Sequence, residues 1–265
     1  MSGATAPGGV VRVDWVRRAA QSVLDFLVEE RCHACGTALD ENGPPHPADP
    51  LALPVPVVGH GRWCLSTRLL CGPCARAIRV WREPVLLDDE AAGRAAGAPL
   101  SVYPAFATDE RLLVLVHLLK FQRRERLAPW LARAMADGLP ARARDGVDAP
   151  PVLVPVPMDR AARTRRGFNQ AERIAEELGR SWDVPVAARA LVKRRPTPPQ
   201  SSLDRDQRRE NLRDAFACGP DSVRHPAVIL VDDLVTTGAT ARACARELSR
   251  AGASSVRVAC LGYRR

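Results

Sequence analysis

Residues 228–240 read Val-Ile-Leu-Val-Asp-Asp-Leu-Val-Thr-Thr-Gly-Ala-Thr. The four apolar residues are typical of a buried central strand, which would carry Asp232 and Asp233 to the edge of a sheet. Two adjacent carboxylates there can accept hydrogen bonds from the vicinal hydroxyls of a ribose. The small residues that follow let backbone N–H groups approach a phosphate at the start of the next helix. This stretch therefore predicts a site for a phosphorylated sugar.

Each part of the stretch is common on its own. An Asp-Asp pair at a strand end is usually a solvated turn, and Thr-Thr-Gly is a frequent loop, so only the combination is specific. A P-loop needs a lysine directly after its last glycine, and Ala239 follows Gly238 here. ATP hydrolysis through this loop is therefore not expected.

On either side of the stretch, strand and helix patterns alternate. The predicted strands cover residues 101–107, 152–156, 184–191, 228–231 and 256–261. The predicted helices cover residues 13–30, 111–121, 126–139, 169–180 and 240–251, and residues 159–166 are predicted to form a loop. This alternation predicts an α/β fold with a central parallel sheet, flanked by helices, that binds ligands at the carboxyl ends of its strands.

The charge of the chain suits an anionic partner. The formal net charge is +9, and residues 160–214 hold 14 Lys and Arg against 8 Asp and Glu. Phosphate ligands, nucleic acid and acidic lipids all fit this charge. No apolar run approaches the roughly 20 residues of a membrane span, and no secretory signal pattern opens the sequence, so we expect a cytoplasmic location.

Two Cys-x-x-Cys pairs lie in a loop-rich segment that has too few apolar residues for a core of its own. They are Cys32 with Cys35, and Cys71 with Cys74. Four thiolates can hold one tetrahedral Zn²⁺, which favours a structural zinc module over a redox motif. The other nearby ligand types are Cys64, His33, His46 and His60, any of which can substitute as a ligand.

The chain resembles the ComF family from about residue 32 to residue 261. The resemblance rests first on the 228–240 stretch, which looks like the phosphoribosyl pyrophosphate (PRPP) motif of type I phosphoribosyltransferases. It also rests on Pro-Val-Pro at 155–157, Arg-Gly-Phe-Asn-Gln at 166–170, residues 200–216 and Lys-Phe at 120–121. It implies a type I phosphoribosyltransferase fold over residues 96–265 and an N-terminal helix with a four-cysteine zinc module over residues 1–95.

The resemblance also implies roles for individual residues. Asp232 and Asp233 would hold the ribose hydroxyls, while the 5-phosphate would lie on Thr236, Thr237, Gly238, Ala239 and Thr240, with Mg²⁺ accompanying PRPP. The segment from residue 193 onward resembles a mobile loop that closes over the site. Candidate contacts to pyrophosphate or nucleic acid are Lys120, Arg166, Lys193, Arg194 and Arg195.

The implied activity is that of a phosphoribosyltransferase whose acceptor is unknown. Purine-salvage relatives carry an acid at the position of Thr236, and threonine cannot take a proton from the acceptor, which argues against purine-base transfer. Two alternatives stay open. One is a competence accessory that binds single-stranded DNA during DNA uptake, although only 5% of the residues are aromatic and stacking partners are scarce. The other is a regulator that senses PRPP without catalysis.

Overall fold

The computed structural model describes residues 31–37, 70–87, 99–121, 127–144, 150–195, 212, 214–221 and 227–264. The predicted helix at 13–30, the predicted boundary near residue 95 and most of the predicted mobile loop lie outside these residues. Cys64, His46 and His60 lie outside them as well.

A five-stranded sheet forms the centre of the molecule, in the order β1-β2-β7-β6-β3. Its strands are β1 (Val85–Leu87), β2 (Leu100–Ala107), β3 (Val152–Pro155), β6 (Ala227–Val235) and β7 (Ser255–Tyr263). β2, β7, β6 and β3 are parallel, and β1 pairs with β2 in the antiparallel sense. β4 (Leu191–Lys193) and β5 (Phe216–Cys218) form a separate antiparallel pair. The expected parallel α/β sheet is confirmed, with one antiparallel edge strand.

Helices cover both faces of this sheet. They are α1 (Gly72–Arg76), α2 (Glu110–Phe121), α3 (Leu127–Gly138), α4 (Ala141–Arg144), α5 (Arg160–Arg166), α6 (Gln170–Trp182) and α7 (Ala239–Arg250). Ile229 and Val231 of β6 pack with α2, α3 and α6, whereas Val228 and Leu230 pack with α7. Successive side chains of a strand point to opposite faces, so a strand buried on both sides is apolar throughout. That is why the apolar run ahead of Asp232 identifies a central strand.

Two local predictions were wrong. Residues 159–166 were expected to form a loop, yet Asp159 caps α5 by accepting a hydrogen bond from the N–H of Ala162, and Gly167 ends the helix at φ +88°. Residues 184–191 were expected to form a strand, yet only Val186 bridges to Leu153, and the strand itself lies at Leu191–Lys193. Capping decides the first segment, and in the second the pairing of residues 191–193 with residues 216–218 outweighs the local apolar pattern.

The cysteine-containing segment shares the core of the sheet. Leu70 and Ile78 are each 1% exposed and belong to the same apolar cluster as α2 and α3. Val80 bridges to Phe106 at the end of β2. The segment is therefore held by apolar packing as well as by whatever its cysteines bind.

Leu87 of β1 packs against Gly238 of the 228–240 stretch. A Cβ atom placed on Gly238 would lie 2.2 Å from Cδ1 of Leu87, the last residue of β1. The φ angle of Gly238 is +74°. Both the close approach and the left-handed backbone require glycine at this position.

A buried carboxylate joins two helices. Glu177 of α6 is 4% exposed. It accepts a 2.8 Å hydrogen bond from Nε of Arg133 in α3 and pairs with Arg180 one turn further along α6.

Among the described residues, no helix has both the length and the apolar character needed to cross a membrane.

Candidate functional site

Asp232 and Asp233 lie near the carboxyl end of β6, which runs on to Val235. The Nζ of Lys120, in the last turn of α2, lies 2.9 Å from each carboxylate oxygen of Asp233. The N–H of Leu234 donates to the same carboxylate at 2.6 Å. The carboxylate of Asp232 accepts a 2.8 Å hydrogen bond from the N–H of Asp233. One acid of the pair is thus matched by a cation, and its neighbour is held by the backbone.

The two acids differ in their electrostatic environment. Burial, followed by the adjacent charge of Asp233, raises the pKa of Asp232 to about 7, and Lys120 opposes this rise only in part. Loss of hydration disfavours the charged form of a carboxyl group, and a like charge next to it does the same. Asp232 therefore changes its protonation near neutral pH.

The turn after β6 forms a small cavity of about 100 Å³. Its lining runs from Asp232 and Leu234 through Thr236, Thr237, Gly238, Ala239 and Thr240 to Ala241. α7 begins at Ala239, so the positive end of that helix points into the turn. Arg242 fixes the turn by donating a 2.6 Å hydrogen bond to the carbonyl oxygen of Thr237.

A larger cavity of about 370 Å³ adjoins the small one, and Asp232, Leu234 and Thr240 line both. Its polar lining includes Lys120, Arg166, Asn169, Gln170 and Lys193, and its apolar lining includes Val156, Met158, Leu212 and Phe216. Basic and amide side chains thus face the two acids across one space.

The segment 166–170 forms the turn that joins α5 to α6. Arg166 ends α5, and Phe168 is 5% exposed, so its ring is packed in the interior. Asn169 caps α6 by accepting from the N–H of Ala171, while its amide nitrogen donates at 3.0 Å to the carbonyl oxygen of Val156. The turn is therefore tied to the end of β3, which places Gln170 at the cavity wall.

The predicted basic contacts divide between two spaces. Lys120, Arg166 and Lys193 line the larger cavity, whereas Arg194 and Arg195 line a neighbouring groove of about 420 Å³ together with Arg160 and Lys193. Lys193 lies between them, with its Nζ 3.6 Å from Asp159 and 6.0 Å from the ring centre of Phe216. Hydrogen bonding from the N–H of Ala162, followed by the charge of Lys193, lowers the pKa of Asp159.

The sequence prediction left Gln170, Asn169 and Phe216 out of the site. The segment 166–170 was recognised as a motif, and that was the available signal for the two amides. Phe216 comes from a short strand on the far side of the predicted mobile loop, so only the tertiary structure brings its ring to the cavity.

The four predicted cysteine ligands meet at one place. The Sγ atoms of Cys32, Cys35, Cys71 and Cys74 all lie within 4.8 Å of one another. Those of Cys35 and Cys71 are 3.7 Å apart, close to the roughly 3.8 Å between sulfurs around a tetrahedral zinc with 2.3 Å bonds. Among the described residues no histidine joins this group. The cluster could hold a metal such as zinc.

The thiols of this cluster do not ionise alike. Hydrogen bonding to Thr37 lowers the pKa of Cys35 to about 6, whereas burial raises the pKa of Cys74 to about 12. The guanidinium of Arg111, at the start of α2, hydrogen-bonds the sulfur of Cys74 and favours its thiolate. A bound dication would offset the free-energy cost of burying negatively charged thiolates, as a four-thiolate metal site requires.

Comparisons with known proteins agree with this geometry. Residues 150–265 match the phosphoribosyl transferase domain. The chain is 34% identical over 197 residues to DNA utilization protein YhgH of Escherichia coli O157:H7, covering 74% of this chain and 78% of that protein. It is 31% identical to competence protein F of Haemophilus influenzae, covering 56% and 66%, and 35% identical to competence protein ComFC of Bacillus subtilis, covering 38% and 39%.

Proposed function

We propose that this chain, which belongs to the ComF family, binds PRPP or a related 5-phosphoribosyl ligand together with Mg²⁺. The observation that carries the proposal is a pair of adjoining cavities at the end of β6 that share Asp232, Leu234 and Thr240 in their linings. One is bounded by a turn of small residues and the other by two carboxylates. A phosphorylated ribose needs both kinds of surface side by side, a cradle of N–H groups and acceptors for its hydroxyls.

Each part of the ligand has a matching surface. The 5-phosphate would lie on Thr236, Thr237, Gly238, Ala239 and Thr240, where α7 begins. Asp232 and Asp233 would accept hydrogen bonds from the ribose hydroxyls. Lys120, Arg166 and Lys193, which line the larger cavity, would face the pyrophosphate. Arg194 and Arg195 lie one space further out and would contact only a longer anion.

Transfer of the phosphoribosyl group is the activity that a phosphoribosyl transferase domain supports. In such a reaction the anomeric carbon loses pyrophosphate through a cationic state, which fixed charges and positioning stabilise. Mg²⁺, when bound with the ligand, would neutralise part of the pyrophosphate charge. Thr236 is exposed and offers no base for a nucleophile. The acceptor is therefore left open, as is a PRPP-sensing role without catalysis.

Calorimetric titration with PRPP and Mg²⁺ tests the proposal. We expect saturable binding by the unchanged protein and none by the variant Asp232→Asn with Asp233→Asn, in which both carboxylate charges are lost. Asp183→Asn is the control, because Asp183 is exposed at the end of α6 and asparagine tolerates its φ of 56°. If the double variant binds PRPP with unchanged affinity, the two acids do not form the site.

We further propose that Cys32, Cys35, Cys71 and Cys74 hold one structural Zn²⁺. A four-thiolate set at these separations matches the tetrahedral preference of zinc. Elemental analysis should find about one zinc per chain, and replacement of Cys71 and Cys74 by serine should remove it. Full zinc content in that variant would place the ligands elsewhere.

Binding of single-stranded DNA is the second candidate, and the groove beside the cavity favours it. Arg160, Lys193, Arg194 and Arg195 line that groove, and Asp159 is the one acid among the described residues of its lining. The relatives named for DNA utilization and competence add support. Phe168 is packed in the interior, so binding would follow the phosphate backbone rather than base stacking.

A labelled oligonucleotide tests this candidate. Arg194→Ala with Arg195→Ala should weaken binding and reduce its salt dependence, because fewer phosphates are neutralised. Arg246→Ala with Arg250→Ala removes the same charge from exposed positions on α7 and should leave the affinity and its salt dependence as they are in the unchanged protein. Equal losses in the two variants would indicate an unspecific charge effect.

A cytoplasmic location stays part of the proposal for either function.

A further inference from the structure

Gln170 is an almost completely buried polar side chain at the wall of the larger cavity. It is 2% exposed and is the first residue of α6. Its amide nitrogen is buried and has no hydrogen-bond partner among the described residues. A buried donor that is left unpaired is costly, because it has given up water and received nothing in exchange.

The neighbouring amide is in the opposite situation. Asn169 is also buried, yet its side chain caps α6 through the N–H of Ala171 and donates to the carbonyl oxygen of Val156. Asn169 therefore has a complete structural role within the protein. Within the part of the chain that the structure describes, the amide nitrogen of Gln170 has no such partner, and the position of Gln170 at the cavity wall leaves a ligand as the natural partner of its N–H group.

The charges around the cavity indicate what kind of ligand atom Gln170 would meet. Lys120, Arg166 and Lys193 line the space against two acids, Asp232 and Asp233. Lys120 is engaged with Asp233. Toward α5 and β4 the lining holds Arg166 and Lys193, and Asp159, 3.6 Å from Lys193, is not among the described residues that line the cavity. This side therefore favours an oxygen anion that accepts several hydrogen bonds at once.

We propose that Gln170 is a binding residue for the pyrophosphate group of the ligand, to which its amide nitrogen donates a hydrogen bond. This inference rests on the proposed function and assigns a further residue to the same site. Gln170 would then distinguish a pyrophosphate-bearing ligand from a phosphorylated ribose that lacks it. The free protein would carry the unpaired donor, and the ligand would supply its partner.

The test compares Gln170→Met with the unchanged protein, using PRPP, inorganic pyrophosphate and ribose 5-phosphate as separate probes with Mg²⁺. Methionine keeps the length of the side chain and removes the donor. We expect the affinity for PRPP and for pyrophosphate to fall about tenfold or more, since a hydrogen bond to an anion is lost. The affinity for ribose 5-phosphate should stay the same.

Thermal unfolding of the free proteins provides a second readout. Gln170→Met should unfold at the same temperature as the unchanged protein or higher, because an unpaired buried donor is replaced by an apolar group. Gln170→Glu is the second variant. Its carboxylate should repel pyrophosphate, so its affinity for pyrophosphate should fall further than that of Gln170→Met.

Three results would overturn the inference. Unchanged PRPP affinity in both variants would show that Gln170 does not contact the pyrophosphate. Equal losses for PRPP and ribose 5-phosphate would indicate a structural role. If the unchanged protein binds neither PRPP nor ribose 5-phosphate, the proposed function fails and this inference fails with it.

Discussion

The ion pair between Lys120 and Asp233 should contribute measurably to stability, and Lys120→Met tests this. The two side chains are only 22% and 12% exposed, and Nζ lies 2.9 Å from each carboxylate oxygen. Breaking a buried pair by removing one partner costs about 3–5 kcal/mol, whereas exposed pairs contribute under about 1 kcal/mol. This pair is partly exposed and lies between the two cases, so we expect a loss of about 2–3 kcal/mol.

A double-mutant cycle separates the pair from other effects of the substitution. Asp233→Asn keeps an oxygen that can accept from the N–H of Leu234, so it removes mainly the charge. Urea denaturation of the two single variants and the double variant should give a coupling energy of about 1.5–2 kcal/mol, in the range found for residues in contact. Additive losses, with a coupling energy below about 0.5 kcal/mol, would refute a stabilising role for the pair.

Three further predictions concern the site and the helices around it. The affinity for ribose 5-phosphate should rise about tenfold between pH 6 and pH 8, because Asp232, with its pKa raised to about 7, must lose its proton to accept a hydrogen bond from a hydroxyl. In Asp232→Asn the affinity should change with pH only as far as the ligand phosphate itself titrates. The same raised pKa means that the native state binds the proton more tightly than the unfolded chain, so this group's contribution to stability falls as the pH rises from about 4 to 7. Gly238→Ala should destabilise the protein by about 2–4 kcal/mol in urea denaturation. Adding Leu87→Ala to that variant should recover only the part of the loss that comes from the clash between the new Cβ and Leu87, since the φ of +74° is unchanged. Glu177→Gln should cost about 1–2 kcal/mol in the same assay, while Glu176→Gln, at a more exposed ion pair, should cost under about 0.5 kcal/mol.

The parts of the site that are local in sequence could be predicted, and the parts that depend on distant residues could not. The strand, the two acids and the turn of small residues follow one another within 13 residues, so one local pattern predicts all three. Lys120 was a candidate contact to pyrophosphate or nucleic acid, which stays a prediction. Its pairing with Asp233 spans 113 residues, and no local pattern indicates it.

The same reasoning explains the errors in secondary structure. α5 contains four arginines in seven residues and shows no apolar periodicity, so its capping by Asp159 and Gly167 was the only local signal. β4 forms because Leu191 to Lys193 pairs with residues 216–218 across the predicted mobile loop. The cysteines were recognisable because ligand spacing is itself a local pattern, and the structure brings all four together.

The contact between Leu87 and Gly238 matters for anyone who shortens the chain. A fragment that begins after residue 98 would lack β1, so the outer edge of β2 would lose its hydrogen-bonding strand and be open to pairing with other molecules. The turn after β6 would also lose the side chain of Leu87, which packs on Gly238. Weak binding or aggregation of such a fragment would reflect the missing strand. A fragment intended to report on the ligand site should therefore begin before Val85.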